Sequence, residues 1–140
     1  MLPKDKVSNH LIMEVHSYPD VKNLASVKKD VDERISAWKT HLLTKGAPLI
    51  VGEWGTSTED AYTNYRSNMV QFYRYFIEQT KAAGITAFHW MGLTDGADRS
   101  VPKFTQPDLL DAIIKGYYGE GGYTGIENGV FGEKSVADVY

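Results

Sequence analysis

The stretch Pro48–Ser57, PLIVGEWGTS, begins as the apolar filling of a buried strand. With no turn in between, it then places a carboxylate, Glu53, between Gly52 and Trp54. The glycines at 52 and 55 permit close approach of backbone or ligand on either side of that carboxylate. What a hydrophobic strand gains by ending on a glutamate decides how the rest of the chain is read.

Two further apolar runs share its character: Leu11–Val15 (LIMEV) and Ile85–Phe88 (ITAF). All three are short, rich in Ile, Val and Phe and bounded by turn residues, so they read as strands. They lead into HSY, EWG and HWMG, and His16, Glu53 and Trp90 follow one another at steps of 37 residues. No strong identity accompanies the period, which marks a repeat of structure rather than of sequence. The intervals read as helices. Leu24, Val27, Val31, Ile35, Trp38 and Leu42 step by threes and fours, with Lys45 and Gly46 closing the helix. Tyr62, Tyr65, Met69, Phe72 and Phe76 form a second stripe that ends at Gly84, and a third helix is expected from Pro107 through Tyr117.

Strand and helix thus alternate three times, and parallel strands with right-handed crossovers are the default for this order. A doubly wound sheet and a section of a (β/α)8 barrel both fit. No Gly-rich phosphate fingerprint follows any strand, which disfavours the nucleotide-binding version. Barrels carry functional side chains at the C-terminal ends of several strands, and His, Glu and Trp recur there. The barrel is therefore the expected α/β architecture. A whole barrel takes about 250 residues and eight strands; three βα units cannot close, and their outer edges need a partner. Residues 1–119 are expected to form the barrel portion. Residues 120–140, rich in glycine, read as a tail or the start of a short extended element.

The 140 residues carry a net charge of -3 with no basic stripe, so nucleic acid is not an expected partner. Cysteine is absent, which removes disulfides and thiolate metal sites. MLPKDKVSNH lacks an apolar h-region, so no signal peptide is expected in these residues. No apolar run approaches the roughly 20 residues needed to cross a bilayer.

Glu53 is the leading candidate for chemistry, because a carboxylate at the top of a barrel strand can act as a nucleophile in glycoside hydrolysis. Trp54, next along the strand, points the other way and is expected to pack on a helix. Trp38 belongs to the apolar helix stripe. Glu14 shares a side with His16, and inside a barrel it needs a partner. His10 and His41 have no companions at ligand spacing and His89 alternates away from Trp90, so no metal site or cofactor is expected. The acidic run Asp95–Asp98 reads as a polar loop.

VHSY (Val15–Tyr18), IVGEWG (Ile50–Gly55) and FHWMG (Phe88–Gly92) resemble the last three strand ends of glycoside hydrolase family 5, retaining enzymes on a (β/α)8 barrel that include many endo-β-1,4-glucanases. The resemblance covers about Asn9–Gly119, and MGLTDGADRSVPKFTQPDL (Met91–Leu109) looks like the closing loop and helix of bacterial cellulases. It implies that these are strands six to eight of the barrel, with Glu53 as nucleophile and His16 lining the sugar site. It also implies that Tyr18 donates its hydroxyl to Glu53 and that Trp90 stacks on the sugar. The family's acid/base glutamate lies in an Asn-Glu-Pro motif, which this sequence does not contain. A retaining hydrolase needs a second carboxyl about 5–5.5 Å from the first, and losing a general acid/base costs about 10²–10⁴-fold in rate.

The expectation is therefore part of a retaining hydrolase of cellulose-type β-1,4-glucan, inactive or nearly so as a lone chain and dependent on an N-terminal fragment of the same barrel. The tail resembles the approach to a C-terminal extension of exported Bacteroidetes-type proteins, which implies an extracellular, periplasmic or cell-surface parent. A non-catalytic half-barrel that self-associates as a homo-oligomer and holds sugar through Trp90 is the alternative. An unrelated α/β enzyme with Glu53 as general base is a third reading.

Overall fold

The computed structural model describes residues 2, 4–7, 10–90 and 104–121, together with the backbone of 126–127 and 130–131. Residues 91–103, including Asp95–Asp98 where a polar loop is expected, and most of the tail lie outside the described residues. Strands β1 (Met13–Ser17), β2 (Leu49–Trp54) and β3 (Thr86–His89) form one parallel sheet in the order β1-β2-β3. Helix α1 (Leu24–His41) joins β1 to β2, α2 (Arg66–Ala82) joins β2 to β3, and α3 (Pro107–Tyr118) follows β3. The expected α/β alternation is present. Beyond it, Ile126–Glu127 (β4) and Val130–Phe131 (β5) pair as a short antiparallel ribbon. Among the described residues, the outer edges of β1 and β3 have no strand partner. None of their helices is long and apolar enough to cross a membrane.

Each helix follows from local chemistry. The Asn23 side chain caps α1 by accepting from the Ser26 amide at 3.0 Å. Val27, Val31 and Ile35, spaced by four, then bury one stripe. The helix stops at His41 rather than Lys45; a 3-10 turn over Leu43–Lys45 intervenes before Gly46, whose φ of 74° ends the segment as expected. Tyr62 is a correction to the expected second stripe. Residues 59–64 fold into turns, with the Thr63 and Asn64 amides both donating to the Asp60 carbonyl. The helix therefore begins only at Arg66 and leaves Tyr62 exposed. Pro107 opens α3, where its missing N–H goes unused. In the last turn of α3 sits Gly116, where a Cβ would stand 2.7 Å from the Arg74 carbonyl oxygen. Glycine here lets α3 lie tight against α2.

Among the described residues, the sheet buries one face under the helices and leaves the other open. Ser17, Leu49, Val51 and Trp54 are buried, whereas Glu14 and His16 are about half exposed. Strict alternation along β2 would put Glu53 on the same side as Leu49 and Val51, in the core. The register shows why it is not there. Val15 pairs with Val51 and His16 with Glu53; on the other side Val51 pairs with Ala87 and Trp54 with His89. Both neighbours agree that β2 holds one extra residue after Val51, a β-bulge at Gly52–Glu53. The bulge reverses the phase, turning Glu53 to the open face and sending Trp54 into the core. It also corrects the expected level of Trp90. His16 and Glu53 are aligned, but their neighbour on β3 is Phe88; Trp90 lies beyond the strand, its amide donating to the Trp54 carbonyl at 3.0 Å.

Trp54 is fully buried and is the hub of the aromatic core. It stacks on Phe76 at 4.8 Å between centroids and meets Tyr73 and His89 edge-on at 4.8 and 4.9 Å. His89 Nε2 lies 2.9 Å from the Tyr73 hydroxyl, and burial pushes the imidazole pKa down to about 4. Trp54→Ala is expected to destabilise the fold by about 3–5 kcal/mol in urea denaturation, as for other buried tryptophans. Trp90→Ala, half exposed, should stay near about 1 kcal/mol or below. His89 also sets a pH dependence. Its folded pKa lies below the unfolded one, so between about 6.5 and 4 the unfolded chain binds the extra proton and stability falls as pH falls. The loss is expected to reach roughly 2–3 kcal/mol. His89→Asn should flatten that part of the stability–pH curve.

Candidate active site

The open face of the bulge brings three of the four singled-out side chains together. The Tyr18 hydroxyl donates to Glu53 Oε2 at 2.8 Å. Nδ1 of His16 lies 3.4 Å from the same oxygen, within ion-pair range though long for a hydrogen bond. Both contacts fall on Oε2, and among the described residues Oε1 has no hydrogen-bond donor. Among the described residues the carboxylate is thus held through Oε2 alone, an arrangement suited to attack on an electrophile by Oε1. The Glu53 side chain is 27% exposed.

Tyr18 is itself set by its surroundings. Burial, then the hydrogen bond and the negative charge of Glu53, push its pKa up to about 12. It therefore keeps its proton and remains a donor across the neutral range. Its ring lies over Gly55, where a Cβ would stand 3.3 Å from the ring edge. The loops after β1 and β2 are fastened to one another around it. The Gly55 amide donates to the Ser17 carbonyl at 3.1 Å. The Ser57 amide and the Thr56 hydroxyl both donate to the Pro19 carbonyl, at 3.2 and 3.0 Å. The Thr58 hydroxyl donates to Asp20 at 2.7 Å and accepts from the Val21 amide. The Thr58 hydroxyl, followed by the Lys22 amide, holds the Asp20 carboxyl below its usual range. These bonds hold Tyr18, just past β1, and Glu53 on β2 in one frame.

Trp90 stands at the tip of β3 with 51% of its surface exposed, so it is not core filler. Phe88, which sequence reasoning passed over, is 54% exposed on the open face, opposite the bulge. Glu14 was placed on the His16 side, and its partner is His16 itself: Nε2 lies 3.4 Å from Glu14 Oε1. Gly52 proves to be the site of the bulge, and the sequence signal was already present, since an isolated glycine within a strand pattern marks one. Among the described residues, no group of three or more His, Asp and Glu side chains is placed to hold a metal ion.

The family model described as cellulase (glycosyl hydrolase family 5) matches residues 2–94. Among solved structures, a GH5-4 broad specificity endoglucanase from an uncultured bacterium superposes with a TM-score of 0.77 at 37% identity, over 85% of this chain and 34% of that one. A family 5 enzyme from Prevotella bryantii, solved as a mutant in complex with a xyloglucan tetradecasaccharide, gives 0.70 at 27% identity over 84% and 37% of the two chains. A family 5 lichenase from Caldicellulosiruptor, at 24% identity and a TM-score of 0.65, shares the fold over 82% and 37%. The chain thus spans little more than a third of each of these three structures. No curated protein sequence matches it. With two-thirds of its length under the family model, the chain belongs to glycoside hydrolase family 5.

Proposed function

We propose that this chain supplies the last three βα units of a retaining family 5 barrel that hydrolyses β-1,4-glucan, with Glu53 as the nucleophile. The observation that carries the reading is the carboxylate at the bulge of β2, held through Oε2 by Tyr18 at 2.8 Å with His16 alongside. In the first step, Glu53 Oε1 attacks the anomeric carbon and the glycosidic C–O bond breaks. A carboxylic acid elsewhere in the barrel protonates the departing oxygen. That group, now a carboxylate, removes a proton from water; the water attacks the anomeric carbon and displaces Glu53. The anomeric configuration is retained. Tyr18 holds the nucleophile with His16 beside it, and Trp90 offers its exposed face to a sugar ring.

The acid/base carboxylate comes from the remainder of the barrel, whose strands pair with the open edges of β1 and β3. The matched endoglucanase, at 37% identity, supports a β-glucan as substrate. A polymer of that size is met outside the cytoplasm, so the working enzyme is extracellular, periplasmic or on a cell surface. Self-association of the chain through the same two edges is the competing arrangement.

Complementation tests the reading. Neither this chain nor a fragment carrying the first five barrel strands should hydrolyse β-glucan alone, and the mixture should. The Glu53→Gln chain should leave the mixture at background. Hydrolysis by the lone chain that survives Glu53→Gln would falsify the assignment. A homo-oligomer by light scattering that does not yield to the complement would favour self-association. Tyr18→Phe removes one hydrogen bond to a charged acceptor, about 1.5–3 kcal/mol. In the complemented enzyme it should lower kcat by about 10–100-fold.

A further inference from the structure

Glu14 lies two residues before His16 on β1 and shares its open face. Its carboxylate occupies the space over Gly52: a Cβ there would stand 1.7 Å from Glu14 Oε1. It faces His16 Nε2 at 3.4 Å, and the opposite ring nitrogen faces Glu53 Oε2 at the same distance. One imidazole therefore bridges two carboxylates, one on each side.

We propose that Glu14 is a positioning residue for Glu53: acting through His16, it determines which ring nitrogen carries the proton, and Gly52 is the residue that leaves it room to do so. The inference rests on the reading of Glu53 as the nucleophile. An ionised carboxylate only accepts hydrogen bonds, and a neutral imidazole has a single N–H to donate. Glu53 Oε2 already receives the Tyr18 hydroxyl. Glu14 has no donor other than His16 among the described residues. The ring proton is therefore of more use to Glu14, on Nε2. Nδ1 then presents a lone pair to Oε2. That contact repels, and it keeps Oε2 on the Tyr18 hydroxyl and Oε1 turned to the open face. Without Glu14, the ring proton moves to Nδ1 and His16 competes with Tyr18 for the same oxygen. This is the usual logic of a histidine whose outer hydrogen bond sets the role of its inner nitrogen.

Gly52 gives an independent handle. Its φ is not among the positive values of the described glycines, so alanine can follow the same backbone. The atoms that an alanine Cβ would displace are the far end of the flexible Glu14 side chain. Gly52→Ala should therefore leave the fold intact while pushing Glu14 off His16.

The test is long-range proton–nitrogen NMR of the histidine rings in the full chain, titrated until His16 is neutral. His16 is expected to show a pyrrole-like Nε2 and a pyridine-like Nδ1. In both Glu14→Ala and Gly52→Ala the pattern should reverse, with an unchanged melting temperature. His16 nitrogens that are the same in all three proteins would overturn the proposal. The experiment needs no turnover, so a failed nucleophile assignment would show itself separately, in the Glu53→Gln complementation.

Discussion

One extra residue in β2 sets the geometry on which the rest depends. A strand alternates its side chains strictly, so Glu53 and Trp54 must face opposite sides. Which takes which side is a matter of phase, and the bulge at Gly52–Glu53 sets it. Trp54 enters a core of Phe72, Tyr73, Phe76 and His89, where a carboxylate would be an unpaired buried charge. Glu53 emerges beside His16 and Tyr18, where it finds a donor. A single shift in register thus settles a large apolar burial and the placement of the Glu53 carboxylate together. Glycine at position 52 leaves space on the open face for the carboxylate of Glu14.

The loops above the sheet make that placement rigid. Hydrogen bonds from the segment Gly55–Thr58 to the segment Ser17–Val21 tie the tips of β1 and β2 into one unit. Tyr18 stands within this frame, with its ring against Gly55. A hydroxyl aimed from a fastened loop loses little freedom when it binds the carboxylate, and so holds it in one orientation. Among the described residues, the other face of the sheet and both sheet edges are open. Three parallel strands with their helices packed on one face resemble a fragment of a family 5 barrel.

Much of this was legible in the residues. The three apolar runs became three parallel strands, and the four-residue spacing of Val27, Val31 and Ile35 became a buried helix stripe, because both periodicities are local consequences of backbone geometry. Pro107 and Gly46 marked helix ends for equally local reasons. The misreadings share a cause. Tyr62 fits the helical stripe by spacing, but backbone bonds to the Asp60 carbonyl draw it into a turn. Trp90 keeps the 37-residue step, yet the bulge consumes a residue on β2 and the aligned position on β3 becomes Phe88. Counting along a chain does not register an insertion that is defined only by pairing with a neighbour.

The sequence by itself determined the order of elements, the separation of Trp54 from Glu53 and the family motifs that contain His16, Tyr18, Glu53 and Trp90. All of these depend on residue type and on spacing within a single strand or helix. Only the tertiary structure decided that Oε2 of Glu53 is the held oxygen and that Glu14 is the partner of His16. It alone also decided that Gly52 is where the strand changes phase. Those facts are relations between strands, and hydrogen bonding across the sheet fixes them to within a fraction of an ångström, far finer than the spacing of residues along a chain can specify.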